Sequence, residues 1–187
     1  MNSLKISVAA GLAIALISGT AAASAQSCPQ TGEKAPLALH KDWLMQGWER
    51  HEGDPKFVFS QKFSGFYDLT SPRGVFFDNF APGTQLFRDA SRYGANWENL
   101  QNAARSIVHG LTDANDALVG DKVASTTLGM VGRIEGLDGK VIAFDGRSQL
   151  GWKCAAGTWK IHHELNYAAV VKPEAIEKFL GKLGDYK

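Results

Sequence analysis

The 187 residues include 20 Lys and Arg against 19 Asp and Glu, so the formal net charge is +1 at pH 7. This balance argues against nucleic acid or an anionic membrane surface as a partner, because both attract clustered Lys and Arg. A chain of this length matches one typical domain and can bury a full core without a metal.

The N-terminal segment has the pattern of a cleaved secretory signal. Lys5 precedes an apolar run over about residues 6–17, and the small-residue triplet ASA occupies positions 23–25. The apolar run is shorter than the roughly 20 residues that a membrane span requires. We therefore expect a signal peptide over residues 1–25 and a single periplasmic or secreted domain over residues 26–187, with no membrane contact after cleavage.

Both cysteines, Cys28 and Cys154, follow the predicted cleavage site. Export to an oxidising compartment favours a disulfide between them, and two free thiols are the alternative. The long loop closed by this bridge would stabilise the fold by roughly 4 to 5 kcal/mol in the chain-entropy model.

Three helices are predicted in the first two thirds of the chain. Apolar residues at helical spacing place the first over residues 39–50, and an aromatic-rich segment over residues 57–67 forms the second. Short extended pieces follow around Asp78. A third helix is expected over about residues 95–110, with Asn96 as its cap.

The last third of the chain changes to the pattern of strands. Runs over residues 122–136, 140–154 and 158–171 are separated by the turn signals LDG and AAG, and a short helix is expected over residues 173–187. Helices followed by long antiparallel strands are typical of an α+β domain whose helices pack on one face of a curved sheet.

Three motifs occur in this strand-rich part: GDKVA at 120–124, GRSQLGW at 146–152 and GTWKIHHE at 157–164. They resemble the nuclear transport factor two-like superfamily, which includes ketosteroid isomerase and the SnoaL-like polyketide cyclases. The resemblance implies a cone-shaped curved antiparallel sheet of the cystatin-like type, with N-terminal helices on its concave face. It also implies an apolar pocket under the helices and a homodimer through the outer sheet face.

This chain departs from the family pattern at several positions. Gln149 stands where threonine is common, and Leu165 and Tyr167 stand where a second histidine and a serine are frequent. The superfamily includes isomerases, cyclases, dehydratases, binding modules and assembly domains. The resemblance therefore bears more strongly on fold than on activity.

The hairpin of the last two strands fixes which side chains share a face. With the turn at residues 156–157, regular pairing matches Leu150 with His163 and places both on the apolar face. The apolar face also carries Ser148, Trp152, Cys154, Trp159, Ile161, Leu165 and Tyr167, and the polar face carries Arg147, Gln149, Lys153, Lys160, His162, Glu164 and Asn166.

The adjacent histidines do not predict a metal site. His162 and His163 point to opposite faces of a regular strand, so they cannot both bind one ion. His162 shares the polar face with Glu164, but no further His or Cys at ligand spacing completes a set. We therefore expect no metal and no cofactor.

His163 is the leading catalytic candidate. In the family that the chain resembles, the apolar face lines the pocket, and an imidazole there titrates close enough to neutrality to act as base or acid. A core histidine bonded to a hydroxyl or backbone group is the alternative. Tyr67 and Asp78 are expected to orient a substrate, and the predicted ligand-binding residues are Phe59, Phe63, Trp97, Trp152, Trp159 and Tyr167. The remaining histidines, His40, His51 and His109, are expected at solvent-exposed or satisfied surface positions.

Three functions remain open at this point. The domain is interpreted first as an enzyme that performs proton transfer, isomerisation or hydration on a small hydrophobic molecule. It is interpreted second as a non-catalytic module that binds a hydrophobic ligand. Third, the polar sheet face suits a self-complementary two-fold interface, which is compatible with either of the others.

Overall fold

A computed structural model describes residues 26–112 and 114–181, so the predicted signal segment lies outside the described residues. The helices are α1 (Pro36–Asp42), which continues as a π-helical turn (Trp43–Gly47), α2 (Phe59–Phe63), α3 (Ala90–Ala103) and α4 (Pro173–Ile176). The strands are β1 (Val75–Asp78), β2 (Ala104–Leu111), β3 (Asp116–Val119), β4 (Val123–Gly136), β5 (Val141–Ala155) and β6 (Thr158–Val171).

The six strands form one curved sheet in the order β1-β6-β5-β4-β2, with β3 paired to the outer part of β4. Strands β4, β5 and β6 are 14, 15 and 14 residues long and pair in antiparallel fashion, as predicted. The short strand β1 adds to β6 in parallel, so the sheet is not antiparallel throughout. This architecture confirms the predicted α+β fold class.

The first helical segment is shifted by three residues from its predicted position, and the second helix is shorter than predicted. Helix α1 begins at Pro36, whose missing N–H costs nothing in the first turn, and the π-helical turn that follows it ends at Gly47. Helix α2 covers the five residues of Phe59–Phe63, in place of the predicted 57–67.

The third helix is displaced from its predicted position. Helix α3 begins at Ala90, where the Asp89 carboxylate accepts a hydrogen bond from the Arg92 N–H at 2.9 Å and acts as the cap in place of Asn96. It ends at Ala103, and the residues after it pair with β4 as strand β2. The predicted helix over residues 95–110 is therefore wrong in its second half, because sheet pairing wins over an apolar periodicity that fits both structures.

An aromatic cluster joins the helices to one another. The Trp48 ring lies 4.7 Å from Phe63 and 6.0 Å from Phe59 between ring centroids, and 5.5 Å from Trp97 of α3. Gly94 permits the close contact of α2 with α3, because a Cβ there would lie 1.9 Å from the Phe59 ring. Phe59 and Phe63 are thus core residues.

The N-terminal segment is attached to the end of the sheet that carries the β5–β6 turn. Cys28 forms a disulfide with Cys154 of β5, which confirms the predicted pairing. The Trp159 indole N–H on β6 also donates to the Pro29 carbonyl at 2.6 Å. No helix within residues 26–112 and 114–181 is both long and apolar enough to span a bilayer.

Candidate functional site

A β-bulge at His162 decides which side chains of β6 face the helices. Trp152 pairs with Ile161, but the next residue of β5, Gly151, pairs with His163, so His162 is the extra residue. Leu150 consequently pairs with Glu164, not with His163. A one-residue shift moves every later side chain to the opposite face.

The predicted positions of His163 and Tyr167 are therefore wrong. His163 is exposed on the outer sheet face, and the Tyr167 side chain is 65% exposed. Glu164 and Asn166, which regular pairing places on the polar face, are buried under the helices. A buried glutamate, and not a buried histidine, is the titratable group that β6 brings to the interior.

Glu164 accepts three hydrogen bonds in the interior. The hydroxyls of Tyr67 and Tyr93 each donate to its carboxylate at 2.5 Å, and Asn166 Nδ2 donates at 2.7 Å. Tyr67 in turn accepts from the Trp43 indole N–H at 2.7 Å. The network connects β6 to the π-helical turn through Trp43, to the segment after α2 through Tyr67 and to α3 through Tyr93. It satisfies the carboxylate in its ionised form.

Asp78 lies beside this network at the end of β1. Its Oδ2 accepts from Asn166 Nδ2 at 3.1 Å, and its Oδ1 accepts from the Phe80 N–H at 2.7 Å. The amide nitrogen of Asn166 thus donates to two carboxylates, those of Asp78 and Glu164. Only the NH₂ end of the amide can do so, which leaves Asn166 Oδ1 free to accept.

Burial changes the pKa values of these groups. Loss of solvation raises the pKa of Glu164 to about 7, against the lowering effect of the Tyr67 and Tyr93 hydrogen bonds. Burial also raises the pKa of Asp78, and it raises the pKa values of both tyrosines well above their usual range. Glu164 therefore titrates near neutral pH while Tyr67 and Tyr93 stay protonated as donors.

A cavity of about 60 Å³ lies between the helices and the sheet next to these carboxylates. Asp78, Tyr93 and Asn166 form its polar wall, and His109 of β2 adds an imidazole. Burial lowers the pKa of His109 to about 4, so this ring is neutral at pH 7. The other lining residues are Trp43, Leu44, Trp48, Phe80, Trp97, Leu100, Gln101, Ile107, Met130, Ile134, Phe144 and Ala168.

Five buried polar atoms of lining residues have no hydrogen-bond partner among the residues that the structure describes. They are Trp48 Nε1, Trp97 Nε1, Gln101 Oε1, His109 Nδ1 and Asn166 Oδ1. Buried polar groups are paired in the great majority of cases, because an unpaired one costs about 1–3 kcal/mol. Ordered water or a bound molecule with polar groups of its own can satisfy such atoms.

Of the predicted site residues, the cavity brings together Asp78 and Trp97. Tyr67 does not line the cavity, and its hydroxyl donates to Glu164 behind the cavity wall. Trp152 and Trp159 are core residues whose indole N–H groups donate to Thr126 Oγ1 and the Pro29 carbonyl.

Sequence reasoning missed most residues that the structure places at the cavity or its carboxylates. Glu164 belongs to a recognised motif, and only the strand register hid it. Tyr93 lies before residues 95–110, where the third helix was predicted, although the structure places it inside α3. No local signal marks the remaining residues. The missed residues include Trp48, Tyr93, Gln101, His109, Glu164 and Asn166.

Two further histidines depart from expectation. His40 and His109 are buried, whereas surface positions were predicted for both. His40 Nδ1 lies 2.8 Å from Thr126 Oγ1, and its Nε2 lies 2.9 Å from Ser148 Oγ. Both ring nitrogens therefore have hydrogen-bond partners. This histidine has a structural role, because it links α1 to β4 and β5.

Comparison with solved structures finds the same fold at low sequence identity. A putative calcium/calmodulin dependent protein kinase II association domain from Xanthomonas campestris matches with a TM-score of 0.53 and 17% identity, covering 76% of this chain and 91% of that chain. A protein with a cystatin-like fold from Caulobacter vibrioides gives 0.51 and 13%, covering 79% and 96%. A hexachlorocyclohexane dehydrochlorinase, LinA type 2, gives 0.51 and 9%, covering 72% and 85%.

These likenesses establish the fold, and they confirm at that level the resemblance seen in the strand motifs. No family model matches the sequence, and no curated protein matches it. The class of protein defined here is thus a cystatin-like α+β cone that encloses a small cavity beside two buried carboxylates.

Proposed function

We propose that the protein binds a small, largely apolar molecule in the cavity and transfers a proton on it, with Asp78 as the general base. The observation that carries this proposal is the set of five unpartnered polar atoms around a cavity that a carboxylate also lines. A carboxylate whose pKa is raised by burial is a stronger base than one in water, and general bases work best when their pKa approaches the working pH.

The chemistry that suits this arrangement is removal of a proton from carbon next to a carbonyl. The C–H bond breaks, Asp78 takes the proton, and the electron pair moves onto the carbonyl oxygen. Return of the proton at another carbon gives isomerisation, and loss of a leaving group from the neighbouring carbon gives elimination. The hexachlorocyclohexane dehydrochlorinase of the same fold is named for an elimination on a small apolar molecule.

Glu164 and Asn166 act as positioning residues in this proposal. Glu164 receives the hydrogen bonds of Tyr67 and Tyr93 and holds the Asn166 amide, which donates to Asp78 Oδ2. The Asn166 hydrogen bond favours the ionised form of Asp78, which is the form that accepts a proton. His163 takes no part, since it lies on the other side of the sheet.

Exchange of carbon-bound hydrogen with D₂O tests the proposal without knowledge of the natural substrate. Small cyclic and linear ketones are incubated with the disulfide-bonded protein in D₂O, and deuterium at the α-carbon is followed by NMR. We expect protein-dependent exchange that D78N reduces at least a hundredfold. Asp145→Asn, the same change on the exposed outer face, is the control and should exchange like the wild type.

Non-catalytic binding is the second candidate, and the same experiment separates it. A ligand can satisfy the unpartnered polar atoms without undergoing any reaction. A ketone that raises the melting temperature by mass action, yet shows no exchange above the buffer rate, would assign the protein as a binding module.

Assembly through the outer sheet face is a further candidate. Leu165 and Tyr167 are exposed on the outer face of β6 two residues apart, so they form a small apolar patch there. The Xanthomonas campestris domain of the same fold is named as an association domain. A homodimer in sedimentation velocity that L165E dissociates would support this function, and a monomer at micromolar concentration would oppose it.

Export to the periplasm or beyond also belongs to the proposal. It is supported by the disulfide and by the signal-like pattern of the first 25 residues. Mass spectrometry of the protein from the periplasmic fraction of an expressing bacterium tests the export. Cleavage after Ala25 leaves a chain that begins at Gln26, and its molecular mass identifies it.

A further inference from the structure

We propose that the molecule bound here is an amphiphile whose oxygen-bearing head occupies the cavity and whose apolar tail lies in a groove at the end of the β4–β5 hairpin. This inference rests on the proposed function, because it requires the cavity to be the ligand site. It adds the chemical class of the ligand and the path by which the ligand enters.

The head must carry a hydrogen-bond acceptor. Trp48 and Trp97 both line the cavity, their ring centroids are 5.5 Å apart, and each has a buried indole N–H without a partner. An indole N–H can only donate. A carbonyl or hydroxyl oxygen of the ligand satisfies these donors, whereas a hydrocarbon leaves both unpaired.

The cavity lining also favours a donor on the same head. Gln101 Oε1 and Asn166 Oδ1 are buried acceptors without a partner among the residues that the structure describes. A hydroxyl or enol group can donate to one of them while its neighbouring carbonyl accepts from an indole. The polar atoms therefore suit an oxygenated group better than an ammonium group, which has no lone pair to accept from the indole N–H groups.

The cavity is too small for a whole hydrophobic ligand. Its volume of about 60 Å³ compares with about 300–1,000 Å³ for common ligand pockets. A head of a few heavy atoms fits in this space. The rest of the ligand must leave the cavity, so the position of an exit determines where it lies.

Three half-buried side chains separate the cavity from the surface. Phe80, Leu100 and Ile134 line the cavity, and they also line a surface groove of about 570 Å³. The groove is therefore one layer of side chains away from the cavity. A ligand tail that passes between these three side chains enters the groove.

The outer part of the groove carries two exposed apolar side chains beside the ion pair of Asp138 and Lys140. Leu137 and Ile142, at the end of the β4–β5 hairpin, line it and are 64% and 42% exposed. Exposed apolar side chains grouped beside a ligand cavity indicate a surface that is covered in the functional state. Because the groove adjoins the cavity, we assign the tail of the same ligand as the group that covers it.

A homologous series of methyl ketones, from 2-butanone to 2-dodecanone, tests the proposal on the full disulfide-bonded protein. Affinity is measured by isothermal titration calorimetry. Each methylene that enters the groove should strengthen binding about fourfold, until the tail is longer than the groove. The matched n-alkanes, which lack the oxygen, should bind at least tenfold more weakly than ketones of equal length.

Variants locate the two parts of the ligand separately. L137S and I142S, at exposed positions, should flatten the dependence on chain length and leave 2-butanone affinity unchanged. L118S is the control, because Leu118 is 71% exposed on β3 and lies outside the groove. W97F, which keeps a ring but removes the N–H, should weaken every ketone by about tenfold without changing the slope.

The outcomes separate failure of this inference from failure of the proposed function. If ketones bind with an affinity that does not depend on chain length, or if L137S behaves like L118S, the amphiphile is excluded while the cavity remains a ligand site. If no ketone of any length binds, the proposed function fails as well. If L137S changes the oligomeric state and not ketone affinity, a second copy covers the groove and the inference is overturned.

Discussion

The hydroxyl of Tyr93 donates a 2.5 Å hydrogen bond to the carboxylate of Glu164, and both residues are buried. This bond joins α3 to β6 across the interior of the cone. It also fixes the position of one wall of the cavity, because Tyr93 lines the cavity and its hydroxyl is bound by Glu164. The first two predictions concern the strength of this connection and its dependence on pH.

Y93F should destabilise the protein by about 1–3 kcal/mol, because it removes one of three donors to a buried carboxylate while the ring keeps its contacts. The Tyr93 ring is stacked on Phe76 at 5.6 Å, so packing is little changed. Urea unfolding measures the effect. Y167F makes the same chemical change at an exposed position and should lie within about 0.5 kcal/mol of the wild type. Equal effects of the two substitutions would show that the Tyr93 hydroxyl contributes nothing to stability.

The free energy of unfolding should fall as the pH rises toward neutrality, through Glu164. Its pKa in the folded protein, about 7, exceeds the ordinary value of 4.5, so the folded state binds this proton more tightly than the unfolded chain does. The contribution is therefore fully present below pH 4.5 and is lost as the pH rises through about 7. It amounts to something on the order of 3 kcal/mol.

E164Q isolates this effect, because the glutamine does not titrate. Buried His109 acts in the opposite sense, since its lowered pKa removes stability as the pH falls below 6.5, but it is present in both proteins and cancels in their difference. Relative to the wild type, E164Q should become more stable between pH 5 and pH 8. Urea unfolding at several pH values measures it, and a difference that stays constant with pH would contradict the raised pKa.

Loss of the disulfide should cost about 5 kcal/mol, since Cys28 and Cys154 are separated by 126 residues and the bond restricts a long loop in the unfolded chain. The C28S/C154S double variant is compared with the wild type by urea unfolding, with and without a reductant. The wild type should lose stability on reduction, and the double variant should not respond. A wild-type protein that is equally stable when reduced would contradict this expectation.

Much of the fold could be predicted because its signals are local. Apolar alternation and turn residues mark the three long strands, and the turn after β5 uses Ala156 and Gly157 with φ of 47° and 79°, which suits a tight hairpin. The disulfide followed from the predicted export. The strand and turn signals depend on neighbours in sequence, so one sequence is enough to display them.

The β6 side of the candidate site could not be predicted, because a one-residue shift in strand pairing decides which β6 side chains face the interior. Nothing in the sequence marks His162 as a bulge, and regular alternation assigns Glu164 to the polar face. Burial of Glu164 is possible because the hydroxyls of Tyr67 and Tyr93, distant in sequence, converge on its carboxylate. Such long-range pairs leave no periodic signal, and they outweigh the preference of a carboxylate for solvent.

Histidine modification tests the bulge directly. Diethylpyrocarbonate acylates accessible neutral imidazoles, and tandem mass spectrometry of peptides measures each of the five histidines separately. His163 and His51 are exposed and should react fastest, whereas buried His40 and His109 should be strongly protected.

Labelling in urea provides the control, because all five histidines should then react at similar rates. With regular pairing, His163 would lie opposite Leu150 on the covered face and would be protected like His40. With the bulge, it lies outside, where H163A should leave both stability and ketone binding unchanged. Protection of His163 in a folded protein that is monomeric by sedimentation would therefore support the regular register, with His163 in the interior in place of Glu164.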